Sequence, residues 1–168
     1  MQAYAEKGTI ESGDRVLIYG ASGTSGTIAV QYAKHLGARV TGVWSGRYTE
    51  AVMSLGADEV IDYTDVDAPP TRAAHDFLMD SVGGLKSSPL KEACKQALAP
   101  GGRYVSIDDE DLLLEIARLD QIRKFVEAGV IRPVLGHTFP FERIAEAHRL
   151  VESGHKRGGV AVAISSPQ

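Results

Sequence analysis

Along the chain, apolar residues alternate between short unbroken runs and helical spacings. Val16, Leu17 and Ile18 form an unbroken run after the turn residues Ser12-Gly13-Asp14, so Arg15–Tyr19 reads as a buried strand. Ile28, Ala29, Tyr32, Ala33 and Leu36 recur at helical spacing, with Lys34 and His35 in the last turn and Gly37 placed to cap it. Strands are predicted over Arg39–Trp44 and Glu59–Asp62, flanking a helix from about Thr49 to Leu55 that ends at Gly56. Asp65–Ala74, with Pro69-Pro70, reads as loop. Asp76–Asp80 is a fourth strand, ending in Ser81-Val82-Gly83-Gly84. Ser88 suits an N-cap and Pro89 a first helical position; Leu90, Ala93, Cys94, Ala97 and Leu98 mark one face of that helix. Pro100-Gly101-Gly102 turns into a fifth strand, Arg103–Ile107. Leu112, Ile116, Leu119, Ile122 and Val126 mark the apolar face of a long helix ending at Gly129. Beyond it, Val134-Leu135 is a short apolar piece. Phe141, Ile144, Ala145, Leu150 and Val151 mark a helix with His148 on its core side, stopped by Gly154, and Val160–Ile164 is a last strand.

Strand alternates with helix through the first ~128 residues. That pattern implies parallel strands joined by right-handed crossovers, an α/β doubly wound parallel sheet in three layers, α/β/α. Such sheets bind ligands at the carboxyl ends of their strands, at the switch point. Composition fits an ordered globular chain: 168 residues, 43% apolar and 24% charged. The net charge of −4 argues against a broad nucleic-acid or anionic-membrane surface. A single cysteine excludes an internal disulfide framework and fits a reducing compartment; a cytoplasmic setting is expected. No apolar run approaches the ~20 residues of a membrane span.

Eighteen glycines are more than usual, and their placement carries the chemistry. Aligned on the dinucleotide fingerprint G-x-G-x-x-G, the chain reads Ala21-x-Gly23-x-x-Gly26, with Gly20 just before. The segment follows a strong strand and opens a strong helix. Gly23 lets the backbone approach a pyrophosphate, and Gly26 lets helix and strand pack closely. N–H groups around Thr24 and Ser25 point at the anion, helped by the helix dipole. The plain alternative is a glycine turn with no ligand.

The end of the second strand chooses between dinucleotides. An NAD site places Asp or Glu there for the ribose 2′-OH. Here the chain reads Trp44-Ser45-Gly46-Arg47-Tyr48, with no carboxylate before Glu50. Ser45 can donate to a 2′-phosphate and Arg47 can pair with it, so NADP(H) is favoured over NAD(H). Two charge-assisted hydrogen bonds would give a preference on the order of 10²–10³. The alternative for Arg47 is a solvated loop charge.

Gly20–Gly26, Lys34-His35-Leu36-Gly37-Ala38, Ser54-Leu55-Gly56-Ala57-Asp58-Glu59-Val60-Ile61-Asp62-Tyr63 and Ala99-Pro100-Gly101-Gly102-Arg103 together resemble the medium-chain dehydrogenase/reductase superfamily, in its zinc-free, quinone-oxidoreductase-like branch. Ile131-Arg132-Pro133, Thr138-Phe139-Pro140 and Glu146-Ala147-His148 resemble the same branch, so the likeness runs from about Gly8 to Ile164. The resemblance implies a Rossmann domain over 1–128 and a C-terminal segment over 129–168 that in relatives packs on a GroES-like catalytic domain. It implies NADPH as cofactor, and hydride transfer to a quinone or an activated alkene or carbonyl. It implies that Thr24 and Ser25 cradle the pyrophosphate, that Ser45, Arg47 and Tyr63 sit at the adenosine ribose and its phosphate, that Ser81 and Val82 border the ribose and nicotinamide side, and that Ser106 and Ile107 end near the same ring.

Three departures shape the expectations. The chain carries no GroES-like barrel, so it is expected to be inactive or weakly active alone, with a small-molecule electron acceptor as partner only if that domain were present. Ser106–Asp111 is short where many relatives have an extra strand that pairs subunits, which weakens the case for the usual dimer. Gly158-Gly159-Val160 stands where Gly-Lys-Val is frequent, so any role of that lysine is lost. Uncovered Val134, Leu135, Phe139 and Val160–Ile164 are expected to drive self-association.

The other candidates read as structural. Cys94 lies on an apolar helix face, so a buried inert thiol is expected. The five histidines are scattered without metal-ligand spacing, so no metal is expected. Asp108-Asp109-Glu110-Asp111 reads as a solvated helix N-terminus. His155-Lys156-Arg157 reads as surface, with contact to a cofactor phosphate as the alternative. No nucleophile-and-base pair stands out, and hydride transfer needs none. The competing function is a non-catalytic dinucleotide-binding or protein-interaction module that retains the fold.

Overall fold

A computed structural model describes residues 10–44, 49–62, 74–84, 88–108, 116–154 and 156–164. Strand β1 (Arg15–Tyr19) leads through the glycine turn into helix α1 (Thr24–His35), which returns the chain to β2 (Arg39–Trp44). Helix α1 stops because Gly37 adopts φ +85. There its N–H donates to the Lys34 carbonyl (2.9 Å), while that of Ala38 donates to Ala33 (3.1 Å). A short helix α2 (Thr49–Met53) precedes β3 (Glu59–Asp62). The chain then crosses back to β4 (His75–Asp80), helix α3 (Pro89–Gln96), β5 (Leu98–Ser106) and helix α4 (Ile116–Glu127).

The five strands form one parallel sheet in the order β3-β2-β1-β4-β5. This is the doubly wound sheet that the strand–helix alternation predicts. The period-two alternation of strand side chains explains the layers. Val16, Ile18, Val40, Phe77 and Met79 face α1, where Ala29, Val30 and Ala33 meet them. Leu17, Val43 and Leu78 point the other way, onto Cys94 and Ala97. Fully burying each large aliphatic side chain contributes roughly 1.5–3 kcal/mol. Winding outward to β3 and then back beside β1 leaves a crevice between the carboxyl ends of β1 and β4.

The C-terminal part forms a second, small unit. Strand β6 (Leu135–Pro140) pairs in parallel with β7 (Gly159–Ala163) through a 3₁₀ turn (Phe141–Arg143) and helix α5 (Ile144–Glu152). It is held to α1 and the turn before it by hydrogen bonds to its backbone. Buried Gln31 of α1 donates to the Arg132 carbonyl (3.1 Å) and accepts from the Arg132 N–H (2.8 Å). Gly158 pairs with Gly23, and its N–H donates to Ser22 (2.8 Å).

Several expectations need correction. The Pro100-Gly101-Gly102 turn lies within β5: Leu98 sits opposite His75 and Arg103 opposite Phe77, so the residues between bulge out. Leu98 therefore belongs to the strand and not to the helix face. Leu119, Ile122 and Val126 are exposed, because α4 turns Phe125 inward onto Tyr32 and His35 (ring centroids 5.6 and 5.4 Å). His148 is exposed, and the buried residue of α5 is its neighbour Ala147. The Val134-Leu135 piece begins a six-residue strand. The expected loop over 65–73, Leu112 and Asp109–Asp111 lie outside the described residues, as does His155.

Candidate functional site

The turn after β1 is built by glycines for steric reasons. Gly20 takes φ +82, and a Cβ there would stand 2.6 Å from Cγ2 of Val82, in the turn after β4. A Cβ on Gly26 would run into the Gly20 carbonyl oxygen and come within 2.7 Å of the Ala21 Cα. Helix α1 thus lies directly against the turn. The Gly20 and Ala21 N–H groups donate to the Val43 carbonyl (3.0 and 3.2 Å), and that of Gly23 to Gly20 (3.0 Å). The loop is fixed before any ligand arrives.

The N-terminus of α1 has no side-chain cap. Its N-cap, Gly23, has no side chain to accept a hydrogen bond, and its first turn carries no acidic residue. The N–H groups of Thr24, Ser25 and Gly26 have no acceptor within the helix. The Thr24 N–H turns toward the Gly158 carbonyl in the parallel bridge between Gly23 and Gly158, which leaves the Ser25 and Gly26 N–H groups and the positive end of the helix dipole for an anion. Thr24 and Ser25 are exposed there.

Across the crevice, Ser81 and Val82 follow β4. The Ser81 Oγ is buried and has no hydrogen-bond partner among the described residues, while Val82 is 46% exposed. A buried hydroxyl without a partner among the described residues, beside a helix end with no side-chain cap, is what a polar ligand would complete. Ser106 ends β5 opposite Asp80, one strand further out, and its Oγ accepts from the Asp108 N–H (3.3 Å). The structure therefore brings Gly20, Ala21, Gly23, Thr24, Ser25, Gly26, Ser81 and Val82 to one crevice, with Ser106 flanking it. Ser45, Arg47 and Tyr63 lie outside the described residues.

Beneath the crevice is a buried network absent from the sequence reading. Asp80 is 1% exposed and pairs with Lys91 Nζ at 2.5 Å. Asp80 Oδ1 accepts from the Val82 and Gly83 N–H groups (both 3.0 Å), and Oδ2 from the Tyr104 hydroxyl (2.9 Å). Lys91 also donates to the Gly83 carbonyl (2.7 Å). Burial alone would raise the Asp80 pKa, but Lys91 and these donors outweigh it and hold it below the usual carboxylate value. The network clamps the Ser81–Gly84 turn in place. Nearby, Cys94 is buried, and burial with the Asp80 charge pushes its thiol up to about 12, so it is inert as a nucleophile.

A switch-point crevice, a glycine turn and a helix N-terminus without a side-chain cap define a Rossmann-type dinucleotide-binding domain. Residues 26–115 match a family model described as zinc-binding dehydrogenase, and residues 112–162 match a second model of that description. The chain belongs to this family, within the medium-chain dehydrogenase/reductase superfamily. It is 36% identical to the mouse protein named NAD(P)H oxidoreductase RTN4IP1, mitochondrial, over 89% of this chain and 48% of that one. It is 29% identical to the Arabidopsis thaliana NADPH-dependent alkenal/one oxidoreductase, chloroplastic, over 90% of this chain and 41% of the other. Among solved structures, the Coxiella burnetii quinone oxidoreductase superposes with a TM-score of 0.74 at 25% identity, covering 98% of this chain and 56% of that one. The chain spans about half the length of the curated relatives it matches. Among the described residues, no group of three or more His, Cys, Asp or Glu side chains is gathered as metal ligands.

Proposed function

We propose that this chain is the NADP(H)-binding half of an oxidoreductase that passes hydride from NADPH to a quinone or an activated alkene or carbonyl. The observation that carries the reading is the preformed N-terminus of α1, without a side-chain cap, at the β1–β4 crevice, with the Ser81 hydroxyl beside it unpartnered among the described residues. The relatives' names, NAD(P)H oxidoreductase and NADPH-dependent alkenal/one oxidoreductase, support a nicotinamide dinucleotide as the occupant. The bound dinucleotide supplies the hydride. The chain's residues supply position. Thr24, Ser25 and Gly26 line the pyrophosphate, with the Ser25 and Gly26 N–H groups donating to it. The Ser81 hydroxyl donates to the ribose side, and the exposed Val82 side chain offers an apolar wall to the nicotinamide ring. Ser45 and Arg47 take the 2′-phosphate, which makes NADPH the preferred form.

Equilibrium titration with NADPH and NADH, for the native chain and Arg47→Ala, tests this reading. NADPH is expected to bind on the order of 10²-fold more tightly, with most of that preference lost in the variant. Equal affinity for both nucleotides would remove the 2′-phosphate assignment. Absorbance at the reduced nicotinamide band, followed with a quinone acceptor, reads any turnover by the chain on its own, which the proposal expects to be slight.

A further inference from the structure

We propose that Lys156 is the cation that binds the dinucleotide's pyrophosphate, delivered to the glycine turn by the C-terminal unit. The inference rests on the dinucleotide reading of the same crevice. Lys156 is distant from the turn in sequence, yet its Nζ donates to the Thr24 Oγ1 (2.7 Å) and to the Gly158 carbonyl (3.0 Å). Thr24 Oγ1 in turn donates to that carbonyl (2.9 Å), and Gly158 is paired to Gly23. The ammonium is therefore fixed over the first residue of α1.

The location is electrostatically wrong for a cation alone. It is the positive end of a twelve-residue helix with no acid in its first turn, where a positive charge is disfavoured. Among the described residues, no carboxylate pairs with Lys156. An anion between the ammonium and the α1 N–H groups turns this repulsion into attraction from both sides. An ammonium has three donors; two are spent on Thr24 and Gly158, and the third remains for a phosphate oxygen. Burial also lowers the Lys156 pKa from 10.5, in the direction expected for a cation without a counter-ion.

The test uses calorimetric titration of NADPH and of inorganic pyrophosphate into the native chain and Lys156→Met, at low and high salt. Native binding of both ligands is expected, weakened about 10-fold or more in the variant. The variant should also lose much of the salt dependence. Its ligand-free melting temperature should be unchanged or higher, because the helix end loses a like charge. A Lys156→Arg variant should retain most of the affinity. Native affinity and salt dependence in Lys156→Met would overturn the inference while leaving the dinucleotide reading intact. Pyrophosphate binding that needs Lys156, without NADPH binding, would uphold the lysine's role and sink the dinucleotide reading. A native chain that binds neither ligand would sink both. Lower ligand-free stability in the variant, with affinity preserved, would make Lys156 a structural latch.

Discussion

Replacing Lys91 with Met takes the counter-ion from a carboxylate that cannot reach water. Asp80 is 1% exposed, and its partner's side chain is 7% exposed, 2.5 Å away. Breaking a buried pair from one side costs about 3–5 kcal/mol. Asp80 would keep the Val82 and Gly83 N–H groups and the Tyr104 hydroxyl, so the lower end applies, about 3 kcal/mol. For a domain of this size that is a fall of roughly 6–12 °C in melting temperature. Urea unfolding followed by circular dichroism reads the loss as a lower midpoint at constant slope. Adding Asp80→Asn removes the stranded charge and should recover about 1 kcal/mol or more, since neutral replacements of buried pairs are often tolerated. A single-variant loss under about 1 kcal/mol, or strict additivity in the double variant, would refute the view that this pair clamps the Ser81–Gly84 turn.

Other consequences are equally direct. Gly26→Ala places a methyl against the Gly20 carbonyl, so it should cost roughly 1–3 kcal/mol and abolish NADPH binding; a stable variant with native affinity would contradict the packing. Gln31→Leu leaves the Arg132 N–H and carbonyl without their partner, costing about 1–3 kcal/mol, and hydrogen exchange at Arg132 should accelerate while that of β1 does not. His75 is buried and its pKa is lowered by burial, so the unfolded chain takes up its proton more readily. Stability from that site is full above about pH 6.5 and falls as pH drops below it. Asp76, held by Arg15 at about 2, adds a second loss between roughly pH 4 and 2. His75→Leu should erase the first loss and keep the second in pH-dependent urea midpoints. Leu135 (59% exposed), Phe141 (53%) and Ile164 (86%) should drive concentration-dependent association in light scattering; a constant monomer mass at high concentration would remove that proposal.

The large sheet was legible because its central strands β1, β2 and β4 are buried on both faces, which writes an unbroken run such as Val16-Leu17-Ile18 into the chain. The glycine turn was legible because Gly20 and Gly26 fill positions where a side chain collides. Lys91 was missed as a partner of Asp80, since no spacing rule joins a strand end to the next helix. The available signal was a lysine one turn before Cys94 on the buried face of α3. Gln31 offered a similar cue, a polar residue four after buried Thr27 on the inner face of α1. Helix α4 offered two apolar stripes, and the one carrying Phe125 packs because Tyr32 and His35 meet an aromatic ring there. Strand β6 contains Gly136 and Pro140 and takes its form from backbone pairing with β7, which leaves little hydrophobic trace. Lys156 read as surface because its contact with Thr24 depends wholly on how the C-terminal unit docks.

If the α1 N-terminus and the β4 turn form one dinucleotide site, NADPH must perturb both sides of the crevice. Amide chemical shifts of the isotope-labelled chain, followed during NADPH titration, test it most directly. Saturable shifts are expected at Gly23, Thr24, Ser25 and Gly26, together with Ser81 and Val82, with small changes in α4. An unperturbed glycine turn at saturating NADPH, or shifts confined to the C-terminal unit, would contradict it.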